Sequence, residues 1–260
     1  MTIKAWINGY SGRMGQEIAE AAKDDQQLQI VGGSGHMLLK TQMRELEKYD
    51  VKDLAKALKE IDIIIDFSNI DGNHLLYQAL ESIEDKAVLI GTTGLSKERR
   101  DLWKKLAIDN SHRILFAPNT SLGVLLTMKV TQQLAATLHP RDFDIEIVES
   151  HHRHKSDSPS GTAKLLADRI CDKVPLEIVT DRTGKRRDNE LGIVALRGGS
   201  VFGEHEVRFM GDFEEISVTH RALSRSLFAK GSLILGHWLA QKKQNGHYGL
   251  VDIEINDLSF

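Results

Sequence analysis

The stretch "ESHHRHKSDSPSGTA", residues 149–163, places His151, His152, Arg153, His154 and Lys155 side by side and then runs into Pro159-Ser160-Gly161-Thr162. Three kinds of chemistry compete for it. Imidazoles can ligate zinc, but no Cys pair and no HExxH helix accompanies them. In an extended chain residues 152 and 154 share one face while 151, 153 and 155 share the other, which splits the set. No metal is expected. A solvated basic loop would explain the charges but not the segment after them. Pro159, the small polar run next to it and "AKLLADRI" read as a helix start, whose free N–H groups suit a carboxylate or phosphate. Imidazoles, an ammonium and an anion-binding helix end so close together suit proton transfer on an anionic small molecule.

A second constellation lies near the N-terminus. "INGYSGRMG" puts Gly9, Gly12 and Gly15 at a strand–helix junction, spaced G-x-x-G-x-x-G. Such glycines serve a plain tight turn, or allow a dinucleotide diphosphate to approach backbone N–H groups at a helix start. "GTTG" (91–94) and "APNTS" (117–121) come after later strands, on the edge where open α/β sheets bind ligands. No Asp or Glu occurs between Asp25 and Glu45, where an acid would hold ribose hydroxyls. His36 and Lys40 could instead approach a 2′-phosphate, so the reading leans to NADPH over NADH.

The elements that must carry these residues alternate through the first half. Strands are expected at 3–9, 28–34, 62–68, 86–93 and 113–119, and helices at 12–24, 73–83 and 96–109. "DIIIDFS" is apolar almost throughout, as a strand buried on both faces should be. This βαβα rhythm predicts a parallel sheet covered by helices. It changes after 121: a long helix (121–138), a half-buried strand (142–150) and a helix (160–173). "LGIVALRGG", "GEHEVRFMG" and "EEISVTHRA" come next, joined by Gly-rich turns and read as antiparallel neighbours. A final helix (226–243) is expected to return to the first domain. The predicted fold class is α/β: a Rossmann-like parallel-sheet domain, 1–121 plus 225–260, with a smaller α+β domain, 122–224, carrying a mixed or antiparallel sheet.

With 260 residues, 41% hydrophobic and 27% charged, the chain has an ordinary globular composition. A net charge of −3 argues against a nucleic-acid binder. Cys171 is the single cysteine, placed in an apparent amphipathic helix and read as a packing residue. Neither a signal peptide nor a membrane-length apolar run is apparent, so a cytoplasmic protein without membrane partners is expected.

"HHRHKSDSPSGTA" resembles the signature of the 4-hydroxy-tetrahydrodipicolinate reductase (dihydrodipicolinate reductase) family. "GYSGRMG", "IDFS", "GTTG", "APNTSLGV", "IEIVESHH", "GEHEVRF" and "HRALSRSLFAKGS" resemble that family's segments in the same order, over nearly the whole chain. The resemblance implies an NAD(P)H-dependent step of diaminopimelate and lysine synthesis, in which hydride is delivered to a small cyclic dicarboxylate and water is lost. It implies His151 as proton donor or acceptor and Lys155 as a second proton donor. His152, Ser160, Gly161 and Thr162 would surround the substrate carboxylates. The cofactor would lie along Gly9, Tyr10, Ser11, Gly12, Arg13 and Met14, then Gly91, Thr92 and Thr93, then Ala117, Pro118, Asn119 and Thr120. A homotetramer assembled through the second domain is also implied.

The chain departs from the family pattern in places. Many members carry an acid, often followed by Arg, where Gly35-His36 stand, and Arg or Pro where Asn69-Ile70 follow "IDFS". Ser158 replaces a usual Ala, and 36–58 looks variable. None of these touches the proton-transfer residues. Alternative readings are another two-domain nicotinamide oxidoreductase acting on a small amino or keto acid, or a nucleotide sensor that kept the fold. A sensor would be free to lose His151 and Lys155, and both are present.

Overall fold

The computed structural model describes residues 2–35, 38–40, 43–46 and 50–258, with the backbone alone at 38–40, 43–46 and 255. The chain divides into two compact units, residues 1–121 with 226–260, and residues 122–225.

In chain order the elements are β1 (Ile3–Asn8), α1 (Arg13–Ala21), β2 (Leu28–Ser34), β3 (Leu38–Lys40), β4 (Met43–Leu46), α2 (Val51–Leu58), β5 (Ile63–Asp66), α3 (Ile70–Leu80), β6 (Ala87–Ile90), α4 (Lys97–Asp109) and β7 (Arg113–Phe116). Then come α5 (Leu122–Leu138), β8 (Asp144–His151), α6 (Gly161–Cys171), β9 (Glu177–Val179), β10 (Glu190–Arg197), β11 (Gly203–Met210), β12 (Glu215–Ala222), α7 (Ser226–Gln241) and β13 (Gly246–Gly249).

The first unit holds one sheet of order β13-β7-β6-β5-β1-β2-β3-β4. Its six strands from β13 to β2 run parallel, and β3 and β4 extend it antiparallel. Every residue of β5 and β6 is buried, as a strand covered on both faces requires. One layer of the core gathers Trp6, Leu76 and Trp103 with Ile64 and Val88. Each such side chain contributes roughly 1.5–3 kcal/mol by leaving water. Helix starts are set by side-chain caps: Asn69 accepts from Gly72 N, Ser96 from Arg99 N and Asp50 from Asp53 N. The final helix, α7, packs in this unit against α1 and the strands, with Gly236 close over Ile63 of β5.

The second unit holds a five-stranded sheet of order β12-β11-β8-β10-β9, with α5 and α6 packed on it. β8 alternates half-buried and buried residues along its length, and Ile145, Ile147, Glu149 and His151 face inward. The expected antiparallel run of three strands is corrected here. β11 and β12 do form a hairpin, but β10 pairs with β8, and in parallel. β8 therefore lies between β10 and β11, and the connection through 198–202 crosses it rather than turning a hairpin. The sheet is mixed. Four short strands (β3, β4, β9, β13) and α2 add to the expected elements.

Candidate active site

The strand ends of the first unit bring the nucleotide-type motifs to one edge. Gly9 follows β1, Gly91 follows β6 and Ala117 follows β7. Gly9 has φ +90°, and a Cβ there would lie 2.4 Å from the Phe67 carbonyl oxygen, so the position requires glycine. The N–H groups of Gly9 and Tyr10 donate to Ser34 O at 2.7 and 2.9 Å, which ties the turn to β2. Gly12 caps α1 with no side-chain acceptor, leaving the first-turn N–H groups for another partner. Gly9, Tyr10 and Met14 are half-buried, while Ser11, Gly12 and Arg13 are exposed. Gly91 and Thr92 are buried and Thr93 is exposed. The Phe67 ring lies against Gly91, where a Cβ would stand 2.4 Å from Cζ. Ala117 is buried, Pro118 exposed, and Asn119 Oδ1 accepts from Ser121 N at 2.9 Å. Thr120 differs from the others: its hydroxyl donates to Phe228 O at 2.8 Å, and Ser232 Oγ donates to it at 3.2 Å, so its side chain is committed to α7. His36 lies outside the described residues. A tight glycine turn followed by a helix start without a side-chain cap fits a dinucleotide diphosphate.

In the second unit the histidine stretch is not extended. β8 ends at His151, and a tight turn comes next, closed by Lys155 N donating to His152 O at 3.1 Å. The chain then enters α6, whose N-cap is Ser160. This folding separates the three histidines. His151 is buried in the sheet, His152 is half-buried, and His154 is exposed with its ring centroid 6.3 Å from that of His152. Lys155 Nζ pairs with Asp157 Oδ1 at 2.8 Å.

What holds His151 is Glu149, fully buried two residues back on the same inward face. His151 Nδ1 lies 2.5 Å from Glu149 Oε2. Arg197, opposite His151 on β10, donates to both oxygens of Glu149 at 2.8 Å. Ser160 N donates to Oε1 at 2.9 Å. Burial alone would raise the Glu149 pKa, but the Arg197 guanidinium, the Ser160 N–H and His151 together hold it below the ordinary carboxylate value. An ionised Glu149 only accepts, so Nδ1 of His151 carries the hydrogen, and Nε2 is the nitrogen left for proton exchange. Burial lowers the His151 pKa, and Glu149 works against that shift.

His205 lies on β11 directly opposite Glu149. Its ring centroid is 5.2 Å from that of His151, nearly edge to face. Ser160 Oγ accepts from Ala163 N at 3.1 Å, which leaves its hydroxyl hydrogen for His205 Nε2, also at 3.1 Å. Burial pushes the His205 pKa down to about 4, so the ring is neutral. Gly203 leaves room beside His151. Among the described residues no group of three His, Cys, Asp or Glu side chains is placed to hold a metal ion. Nor is any helix there long and apolar enough to cross a membrane.

The sequence reading singled out His151, His152, Lys155, Ser160, Gly161 and Thr162, and the turn brings all six into one segment around the α6 N-terminus. It missed Glu149, Arg197, Gly203 and His205. A signal for Glu149 was present: in "IEIVESH" it falls in phase with Ile145, Ile147 and His151, on the face expected to be buried.

A parallel sheet with a glycine-turn edge, joined in one chain to a unit with a carboxylate-held histidine beside a helix start, defines a nucleotide-dependent oxidoreductase. The sequence matches the family description "Dihydrodipicolinate reductase, N-terminus" over residues 3–120 and "Dihydrodipicolinate reductase, C-terminus" over residues 123–253. A 4-hydroxy-tetrahydrodipicolinate reductase of Aquifex aeolicus is 37% identical over 265 residues, 97% of this chain and 99% of that protein. One from Zymomonas mobilis is 39% identical over 262 residues, 97% of each chain. The dipicolinate-bound dihydrodipicolinate reductase from Paenisporosarcina sp. TG-14 shares the fold, with a TM-score of 0.77 at 22% identity, over 97% of this chain and 100% of that one. The chain belongs to the dihydrodipicolinate reductase family.

Proposed function

We propose that the Glu149-held imidazole of His151 is the proton-transfer group for the family reaction. That reaction is the NAD(P)H-dependent reduction of 4-hydroxy-tetrahydrodipicolinate to tetrahydrodipicolinate with loss of water, in diaminopimelate and lysine synthesis. The nicotinamide cofactor, when bound, supplies the hydride. The chain's own residues must bind a dicarboxylate and move protons. Nε2 of His151 gives or takes a proton while Nδ1 stays fixed on Glu149. Lys155 is a second proton donor, and Asp157 positions its ammonium. The N–H groups of Gly161 and Thr162 at the start of α6, with Ser160 and His152, receive the substrate carboxylates.

In the first unit Gly9 to Met14 receive the diphosphate, and Gly91 to Thr93 and Ala117 to Thr120 line the rest of the nucleotide. Among nucleotides, NADPH is preferred, because no acid between Asp25 and Glu45 repels a 2′-phosphate. The assembly is a homotetramer built through the second unit. The half-exposed Val194 and Leu196 on β10 and the exposed Phe202 support an assembling surface there.

The observation that carries this reading is the buried Glu149–His151 pair beside the α6 N-terminus. The test is loss of reduced-nicotinamide absorbance with substrate generated in situ from pyruvate and aspartate semialdehyde by a coupling synthase. Substrate-dependent oxidation, faster with NADPH than with NADH, is expected. A folded protein that binds nucleotide and oxidises neither would point to a sensor.

A further inference from the structure

At the first unit's ligand edge sits a buried carboxylate that the reaction does not use. Asp66, the last residue of β5, is fully buried. Its Oδ1 accepts from Asn8 Nδ2 at 2.8 Å and from Ser68 N at 3.1 Å and Oγ at 2.5 Å. Its Oδ2 accepts from Asn73 Nδ2 at 2.7 Å and from Thr92 Oγ1 at 2.9 Å. All five donors are neutral, and among the described residues no cation pairs with it.

The direction of the Asn73 bond is forced from its outer end. An indole N–H can only donate. Trp103 Nε1 donates to Asn73 Oδ1 at 3.0 Å, so the Asn73 amide must turn its NH2 to Asp66. At Asn8 the carboxylate itself sets the direction: Asp66 can only accept, so the Asn8 NH2 faces it, Asn8 Oδ1 accepts from Ser34 Oγ at 2.6 Å, and Ser34 Oγ accepts from Trp6 Nε1 at 3.0 Å. Two chains of donors thus converge on one acceptor, across the ends of β1, β2, β5 and β6.

We propose that Asp66 is a positioning residue for the nucleotide. By taking the single hydroxyl hydrogen of Thr92 it leaves Thr92 Oγ1 able only to accept from the ligand. The ligand group must then be an N–H or O–H donor: the carboxamide of the nicotinamide or a hydroxyl of its ribose. This rests on the reading that the Gly91–Thr93 segment lines the nucleotide.

The test is equilibrium binding to the whole chain without substrate, read by NADPH and NADH fluorescence and by competition with 2′,5′-ADP, which lacks the nicotinamide half. Asp66→Asn and Thr92→Val should each weaken NADPH and NADH by a common factor, on the order of 10-fold. They should leave 2′,5′-ADP unchanged, and Thr92→Ser should restore binding. Thr92→Val keeps the carboxylate, so it answers even where Asp66→Asn fails to fold. The 3-acetylpyridine analogue of NADPH, which lacks the amide N–H, separates the two donors. If Thr92→Val leaves its affinity unchanged, the donor is the carboxamide; if it weakens it too, the donor is the ribose. Unaltered NADPH and NADH affinity in Thr92→Val, or equal loss of 2′,5′-ADP, overturns the proposal. Wild-type protein that binds none of these ligands overturns instead the reading on which it rests.

Discussion

A Cβ on Gly203 would stand 2.9 Å from Nε2 of His151, closer than side-chain carbons approach. Gly203 opens β11 and His151 closes β8, so the sheet itself sets this gap. The atom it spares is the one nitrogen of His151 that Glu149 does not occupy. Gly203→Ala should displace the ring by a few tenths of an ångström and lower kcat roughly 10- to 100-fold, since small misplacements are costly in proton transfer. Steady-state kinetics would check this, with the melting temperature as control. An unchanged kcat would mean that the ring does not act through Nε2.

Replacing the group outright should cost more. His151→Gln is expected to lower kcat by about 100- to 10,000-fold with little change in KM. Lys155→Ala should also lower kcat with the fold intact. Full turnover in either variant removes that residue from the mechanism.

Glu149 should reveal itself in the pH profile. It raises the proton affinity of His151 against the opposing effect of burial. In Glu149→Gln the His151 limb of kcat/KM should therefore move further toward acid. The variant also takes from Arg197 the charge that it holds at both carboxylate oxygens, which lowers stability. Profiles are best recorded well below the melting temperature. A limb that stays in place would show that Glu149 does not control the imidazole.

His205 predicts a stability profile. Its folded pKa is about 4 against 6.5 for an ordinary histidine, because burial disfavours the charged ring. The unfolded chain takes up the proton first as pH falls. The contribution is thus complete above 6.5 and lost on acidification toward 4, up to about 3 kcal/mol. His112, His151 and His220 are shifted in the same direction and add to the slope. Thermal melts across this range should be less steep in His205→Gln. An identical slope would refute the assignment.

Where local pattern decides structure, the sequence was readable. β5 and β6 announce themselves by unbroken apolar runs, α4 by the stretch that follows Ser96, and α6 by Ser160 after Pro159; the helix expected at 73–83 begins earlier, at Ile70, because Asn69 caps it. α2 escaped notice because its signal is a pair of acids, Asp50 and Asp53, capping each other in a polar stretch. The placement of β10 escaped because Gly-rich turns suggest hairpins, while the choice of β8 as partner is made by burial of Leu191 and Ile193 beside Ile145 and Ile147. The same long-range pairing hid much of the site. Arg197 and His205 reach Glu149 only through the register of three strands that are distant in sequence.

The return of the chain at α7 and β13 has a consequence for synthesis. Residues 1–121 emerge first, yet they lack the helix that packs on β5, β6 and β7 and the strand that covers the open side of β7. A ribosome-bound nascent chain must hold that half-finished sheet while more than a hundred further residues are made. Until then its bare edge is a template for pairing with another chain. The second unit, contiguous from 122 to 225, is complete before the first can close. Chaperone demand should therefore fall on residues 1–121 until α7 and β13 have been made.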